Sequence, residues 1–275
     1  MVGIWSAIRR KRIAVRSCVR IWSAKLANAD YDVLPTKCRP FLTSAYGRHT
    51  SAPTFCVYWV YNTVRNSWKF STKMPLERMN HGSVCIKRFL FVVGGEIAGC
   101  WSDSVQYVDE KIGKWRNGPL MPTAYVSPKV AEIKGDIYLL AEKSKRLVKM
   151  EMRKQKWIKL APFPFTEDNN EMAMLAVNNQ LLVAVGFSTV CAWYRPETNT
   201  WSLGRPPIYP SMNGSLVQYN NSVFLVGCAT ERFGIRAQNV LGLNDEKWIW
   251  SAPIWKLPLN LCGHQALTLK MPYKK

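Results

Sequence analysis

The sequence predicts an all-β protein, a propeller built from four-stranded blades. A tryptophan recurs at intervals of 47, 42, 44 and 47 residues, and an apolar strand precedes each one; the five are Trp68, Trp115, Trp157, Trp201 and Trp248. Between residues 81 and 270 no apolar pattern has the period of a helix. A repeat of roughly 45 residues made only of short strands is typical of propeller blades, whose strand edges are shielded by closure into a ring.

Each repeat divides into four antiparallel strands. The third strand is the apolar run before the tryptophan, at residues 57–61, 105–108, 147–150, 190–194 and 240–243. The first two strands form a hairpin whose second arm ends in small residues, as at residues 89–95 and 181–186. A short polar turn stands in front of that arm, for example Asn178-Asn179-Gln180, and such a turn between apolar runs signals a hairpin. The tryptophan itself marks the fourth strand.

This repeat resembles the kelch repeat. Kelch repeats carry a double glycine that ends the second strand, then a tyrosine and a tryptophan that flank the turn between the third and fourth strands. One repeat matches in full and two more match the second half; the residues are Gly94, Gly95, Tyr107 and Trp115, then Tyr61 with Trp68, and Tyr194 with Trp201. The resemblance implies a kelch propeller over residues 41–270. Its glycines would allow close backbone approach near the channel, and its aromatic residues would pack blade against blade.

Other positions depart from the kelch pattern or add to it. The double glycine is replaced in the three later repeats, at residues 141–142, 185–186 and 227–228. Met150 stands where a tyrosine is usual before Trp157. The segments at residues 74–75 and 121–122, both Met-Pro, resemble kelch segments that follow the tryptophan.

We expect five blades, with six as the alternative. Four full blades lie between residues 81 and 250, and residues 41–68 supply a first blade that lacks its own first strand. Residues 264–270 offer one more strand, which we expect to complete the first blade and leave no open sheet edge. Six blades are commoner among kelch relatives, and a sixth would have to lie in the divergent residues 1–40. Residues 271–275 form a tail.

Residues 1–40 form a basic leader, either helical or disordered. Apolar residues between Ile4 and Leu26 lie near one helical face, and no acidic residue precedes Asp30. The alternatives to a plain leader are a mitochondrial presequence and a membrane-surface or calmodulin-type helix. In BTB/kelch proteins a BTB domain and a helical BACK domain stand upstream of the propeller. Forty residues can hold neither, so the resemblance implies the C-terminal kelch half without a BTB domain, and a BACK remnant is a further alternative for the leader.

Composition excludes several classes of function. The eight cysteines show no CxxC pair and only three histidines are present, so we expect no metal site and no cofactor. No P-loop, Gly-x-Ser-x-Gly or paired-carboxylate motif stands in a supporting context, so we expect no catalytic residue and no enzyme. No apolar run reaches the ~20 residues of a membrane span. The net charge of +20 favours an acidic partner, and no nucleic-acid motif accompanies it.

The loops that join second to third strands, and fourth strands to the next blade, meet at one end of a propeller. Loops on a rigid scaffold commonly carry function, and aromatic and arginine side chains dominate binding energy. The residues that we predict to bind a partner are Arg78, Trp101, Tyr125, Lys145, Arg146, Tyr209, Arg232, Phe233 and Arg236. Because arginine pairs with carboxylate or phosphate through two donors, we expect an acidic or phosphorylated protein segment.

The kelch resemblance also implies a function. Kelch propellers of BTB/kelch proteins recognise the substrates of Cullin-3 ubiquitin ligases, and the BTB domain contacts the cullin. We therefore expect a protein-binding module like that substrate-recognition part, which would reach Cullin-3 only indirectly. The alternative is a structural kelch protein that binds actin or other cytoskeletal partners. We expect a cytoplasmic location, with the mitochondrion as the alternative.

Overall fold

The computed structural model describes residues 57–62, 67–109, 111–165, 171–186, 190–205, 207, 212–219, 222–228, 238–244 and 247–251. These residues form twenty β-strands and no helix, which confirms the predicted all-β class. Within these ranges no helix could therefore cross a membrane. The predicted leader, the strand at residues 264–270 and the tail lie outside the described residues.

The strands form four four-stranded antiparallel meanders and two small pairs. β1 (Val57–Asn62) pairs with β2 (Ser67–Lys73). Blade A holds β3 (Gly82–Ile86), β4 (Phe89–Val93), β7 (Val105–Asp109) and β8 (Trp115–Asn117), with β5 (Glu96–Ile97) and β6 (Cys100–Trp101) as a small hairpin between β4 and β7. Blade B holds β9 (Lys129–Ile133), β10 (Asp136–Leu140), β11 (Leu147–Glu151) and β12 (Lys156–Lys159).

The two later blades repeat the same order. Blade C holds β13 (Met172–Val177), β14 (Gln180–Val185), β15 (Cys191–Arg195) and β16 (Thr200–Leu203). Blade D holds β17 (Met212–Tyr219), β18 (Ser222–Cys228), β19 (Gln238–Asn244) and β20 (Lys247–Ser251). The first strands of neighbouring blades contact each other, β3 with β9, β9 with β13 and β13 with β17. The first strands therefore line the centre, and the fourth strands lie outermost, as in a propeller. The number of blades in the whole chain, five or six, stays a prediction.

The hydrophobic core lies between blades, because the second strand of a blade directs alternate side chains toward the two neighbouring blades. In β10, Ile137 and Leu139 pack against blade A, whereas Tyr138 and Leu140 pack against blade C. All four are at most 4% exposed. This alternation follows from the two-residue period of a strand, and burial of each such side chain contributes roughly 1.5–3 kcal/mol to stability.

In blades B and C a tryptophan indole is hydrogen-bonded to the connector that leaves the previous blade. The Nε1–H of Trp157 donates to the carbonyl of Pro119 at 3.0 Å, and that of Trp201 donates to the carbonyl of Ala161 at 2.9 Å. Pro119 and Ala161 each stand at the same place, just beyond the fourth strand of the preceding blade. These tryptophans therefore hold neighbouring blades together, as the kelch resemblance implies.

In blade D the predicted repeat position is wrong by two residues. Trp201 pairs with Tyr194 across the strands, whereas the equivalent pair in blade D is Trp250 with Leu241. The indole of Trp250 donates to the carbonyl of Arg205 at 2.9 Å, as its equivalents do. Trp248 instead packs on Trp193, with ring centroids 5.6 Å apart. The two tryptophans lie on the same face of β20, so sequence pattern alone did not tell them apart.

Blade A corrects a second repeat position. Trp115 lies opposite Val108, so Val108 and not Tyr107 occupies the place that Tyr194 occupies in blade C. Tyr107 points to the other face of β7 and stacks on Phe91 at 5.2 Å between ring centroids. In β1 and β2, Tyr61 lies opposite Trp68, so the predicted register holds there.

Candidate functional site

One end of the propeller gathers the connections between second and third strands and those that lead into the next blade. Backbone hydrogen bonds tie the two kinds of connection together within a blade. In blade A the N–H of Met121 donates to the carbonyl of Asp103 at 2.9 Å, and in blade B that of Phe163 donates to the carbonyl of Lys145 at 2.8 Å. We call this end the channel face. It is the end at which the sequence predicts partner binding.

The double glycine lets two connectors approach the end of β4. Gly94 and Gly95 have φ values of 62° and 92°, which favour glycine. A Cβ at Gly94 would lie 2.6 Å from the carbonyl oxygen of Tyr125, and a Cβ at Gly95 would lie 2.5 Å from that of Met79. The N–H of Gly95 donates to the Tyr125 carbonyl at 2.8 Å. The glycines therefore fix Tyr125 against blade A.

Arg78 is an internal support and not an exposed contact residue, which corrects the prediction. Its side chain is 1% exposed. Nη1 donates to the carbonyls of Gly94 at 3.0 Å and Ser104 at 3.1 Å, and Nη2 donates to Ser104 Oγ at 2.9 Å and Gln106 Oε1 at 3.2 Å. The guanidinium joins the connector that enters blade A to the loop that leaves β4. It is thus committed to the frame of the channel face.

His81 lies beside this support and is 8% exposed. Its ring lies against the backbone of Arg78, and neither ring nitrogen makes a well-aligned hydrogen bond within the described residues. Burial, together with the positive charge of Arg78, lowers the pKa of His81 from 6.5 to about 4. The imidazole is therefore neutral near pH 7. His264, the other histidine that begins a predicted first strand, lies outside the described residues.

A pocket of about 110 Å³ lies on the channel face between blades A and B. It brings together three of the predicted partner-binding residues, Trp101, Tyr125 and Arg146. Trp101 stands on β6 and is 54% exposed, whereas Tyr125 is 5% exposed and forms wall rather than rim. Tyr125 was expected on the surface, but the contacts of its backbone with the double glycine bury it. We call this site the A–B pocket.

Sequence reasoning did not single out three polar residues that line the A–B pocket, Thr123, Lys143 and Ser144. The ammonium of Lys143 lies 4.9 Å from the ring centroid of Trp101, within the range of a cation–π contact. Lys145 was predicted instead, but it does not line the pocket, and its φ of 55° sets it apart from its neighbours. The basic residues at 143–146 indicated the loop, but the sequence alone does not specify which of their side chains face the pocket. The remaining predicted contacts, Tyr209, Arg232, Phe233 and Arg236, lie outside the described residues.

A second cavity, of about 220 Å³, opens at the centre of the channel face. It is lined by the starts of the four first strands and the residues just before them; these include Gly82, Ser83, Lys129, Met172, Ala173 and Ser215. Lys129 pairs with Glu142 at 3.0 Å between Nζ and Oε1. We call this cavity the channel mouth. In the described part of the chain, no three His, Cys, Asp or Glu side chains come close enough to hold a metal ion.

Comparison with known proteins agrees with this geometry. The family model for the kelch motif matches residues 77–122, a stretch that contains all of blade A, the double glycine and Trp115. The same four-stranded unit recurs in blades B, C and D. The fold is a kelch-repeat β-propeller. The match to the kelch motif and the similarity to kelch-like proteins support a protein-binding role for this propeller.

Two curated proteins and one solved structure are similar to this chain. The chain is 30% identical over 128 residues to kelch-like protein 7 of Mus musculus and 33% identical over 95 residues to that of Rattus norvegicus. These alignments cover 44% and 34% of this chain but only 22% and 16% of the relatives. The structure titled "Structure of YjhT" superposes with a TM-score of 0.53 at 16% identity, over 66% of this chain and 68% of that one. At such identity the likeness shows the fold alone.

Proposed function

We propose that this kelch propeller holds a partner protein on its channel face, in the manner of the substrate-recognition part of Cullin-3 ubiquitin ligase adaptors. The observation that carries the proposal is the A–B pocket, where an exposed tryptophan and two basic side chains meet on loops fixed to a rigid sheet frame. Tryptophan and arginine are the residues that most often dominate binding energy. The likeness to kelch-like proteins supports the same role.

Binding rather than catalysis fits the titratable groups near this face. His81 is buried and has a pKa of about 4, so near pH 7 it has no proton to donate and is only a weak base. Arg78 beside it donates four hydrogen bonds to the frame through Nη1 and Nη2. We therefore infer that the channel face recognises a partner and performs no chemistry on it.

The net charge of +20 also favours an acidic cytoskeletal partner such as actin, which is the second candidate. The two candidates differ in what the propeller retains from a cell extract. Enrichment of actin and its associated proteins would support the cytoskeletal role. Recovery of one regulatory protein, whose cellular level rises when Cullin-3 is depleted, would support the adaptor-like role.

The experiment is affinity capture with the full chain, read by quantitative mass spectrometry. A channel-face variant, Lys129→Glu with Lys143→Glu and Arg146→Glu, is compared with a matched variant at the other end of the blades, Lys111→Glu with Arg153→Glu and Lys154→Glu. Both variants change the net charge equally. We expect the channel-face variant to lose the partner and the other to keep it. Equal retention by both variants, or loss only in the second, would overturn the proposal.

A further inference from the structure

The A–B pocket has the size and lining of a site for one apolar side chain. Its volume of about 110 Å³ is of the same order as the ~150 Å³ cavity that accommodates a benzene molecule. Its interior is formed by Ala124, Tyr125, Val126 and Ala141 together with the ring of Trp101. An extended chain laid across the channel face could insert a single aliphatic or aromatic side chain here.

The rim of the A–B pocket is basic on the blade B side. Lys143 and Arg146 both line it, and both are exposed. No acidic residue lines the described pocket. The nearest acidic neighbour in sequence, Glu142, pairs with Lys129 at 3.0 Å and accepts a hydrogen bond from the N–H of Met172 at 2.8 Å. Its carboxylate is therefore drawn toward the channel centre and leaves the rim positive.

We propose that the A–B pocket binds an acidic peptide segment of the partner, with one apolar side chain between Trp101 and Tyr125 and flanking carboxylates paired with Lys143 and Arg146. The inference rests on the proposed protein-binding function and assigns it a site away from the channel centre. Apolar anchoring supplies affinity, whereas the two cations select carboxylates beside the anchor. Aspartate and glutamate side chains are the partner groups that this rim fits.

The frame under the pocket explains why such a site would be rigid. The main chain of Tyr125 is bonded on both sides, because its N–H donates to the carbonyl of Ser102 at 3.3 Å and its carbonyl accepts from the N–H of Gly95. The N–H of Ala141 donates to the carbonyl of Arg146 at 2.9 Å and closes the basic loop. A preformed pocket saves the ordering cost of binding, which raises affinity for a short segment.

A peptide selection tests the proposal. Random twelve-residue peptides displayed on phage are selected on the full chain, and enriched peptides are synthesised with a fluorescent label for polarisation measurements. We expect an aliphatic or aromatic residue with neighbouring Asp or Glu. We expect Trp101→Ala and Arg146→Glu each to weaken binding about tenfold or more. Arg153→Glu, the same charge change at the far end of blade B, should alter it by less than about twofold.

Other outcomes overturn the pocket assignment and separate it from the proposed function. Peptides whose affinity falls with Lys129→Glu but not with Arg146→Glu would place binding at the channel mouth. The protein-binding function would then be supported, and the assignment of the peptide to the A–B pocket would be wrong. Peptides without acidic residues, or no enrichment at all, would also overturn it. A phosphoserine in place of the glutamate should bind no better than glutamate. If it binds about tenfold better, the rim selects phosphate and the proposed carboxylate partner is wrong.

Discussion

At the scale of single residues, the channel face depends on two glycines, which lack a Cβ, and on one buried arginine. Gly94 and Gly95 leave room for the carbonyls of Tyr125 and Met79, and Arg78 fills the space behind them with four hydrogen bonds. The sequence identified these residues as special but did not tell which were buried. Burial of Arg78 and Tyr125 results from connectors of two blades meeting at the double glycine, which no local pattern encodes.

Gly94→Ala should destabilise the protein much more than Gly135→Ala. Both glycines have positive φ, 62° and 88°, so both substitutions carry a backbone cost of about 1–2 kcal/mol. Only at Gly94 would the new Cβ meet the Tyr125 carbonyl, at 2.6 Å, whereas nothing lies within 4 Å at Gly135. The forced shift should add about 1–3 kcal/mol. Urea unfolding of the two variants measures the difference, and equal losses would contradict this account of Gly94.

At the scale of strands and blades, prediction from sequence succeeded where the signal was local. The apolar runs before the tryptophans became β7, β11, β15 and β19 to within a few residues, because alternating burial and turn residues both mark a strand. The register in blade D was not predictable in this way. Trp248 and Trp250 share a face of β20, and the choice between them depends on where the carbonyl of Arg205 in the preceding connector lies.

Trp250→Phe should therefore cost more stability than Trp248→Phe. Both changes remove the same indole atoms, so the second is a matched control. Loss of Trp250 leaves the Arg205 carbonyl without the donor that holds blade D to the connector from blade C, at a cost of about 1 kcal/mol, and it also thins the core, since Trp250 is only 6% exposed. Urea unfolding of both variants gives the comparison. A larger loss for Trp248→Phe would return the repeat position to Trp248.

At the scale of the whole molecule, the sequence predicted the architecture more completely than it predicted the candidate site. The repeat predicted a kelch propeller, and blades A to D with their touching first strands confirm it. Ring closure by residues 264–270 stays a prediction, since that strand lies outside the described residues. Three of the nine residues that line the A–B pocket were predicted from the sequence. Trp101, Tyr125 and Arg146 come together as the blade phase implied, whereas Lys143 entered through a loop conformation that the sequence does not specify.

Global stability should depend on pH through His81. Folding lowers its pKa from 6.5 to about 4. Between these values the unfolded chain binds a proton that the folded chain does not, so stability rises with pH across this window. The contribution is complete above about pH 6.5 and is lost as the pH falls to about 4. Since each pKa unit corresponds to about 1.4 kcal/mol, the loss amounts to about 3 kcal/mol.

Comparison with His81→Gln isolates this effect, because the variant keeps every carboxylate that titrates in the same range. We expect the free energy of unfolding of the variant, measured in urea from pH 4 to pH 8, to fall less steeply below pH 6.5 than that of the parent protein. The difference between the two proteins should shift by about 3 kcal/mol in favour of the variant between pH 7 and pH 4. A difference that stays constant over this range would mean that His81 is protonated as readily in the folded protein as in the unfolded chain. The burial of its ring beside Arg78 would then have no thermodynamic consequence.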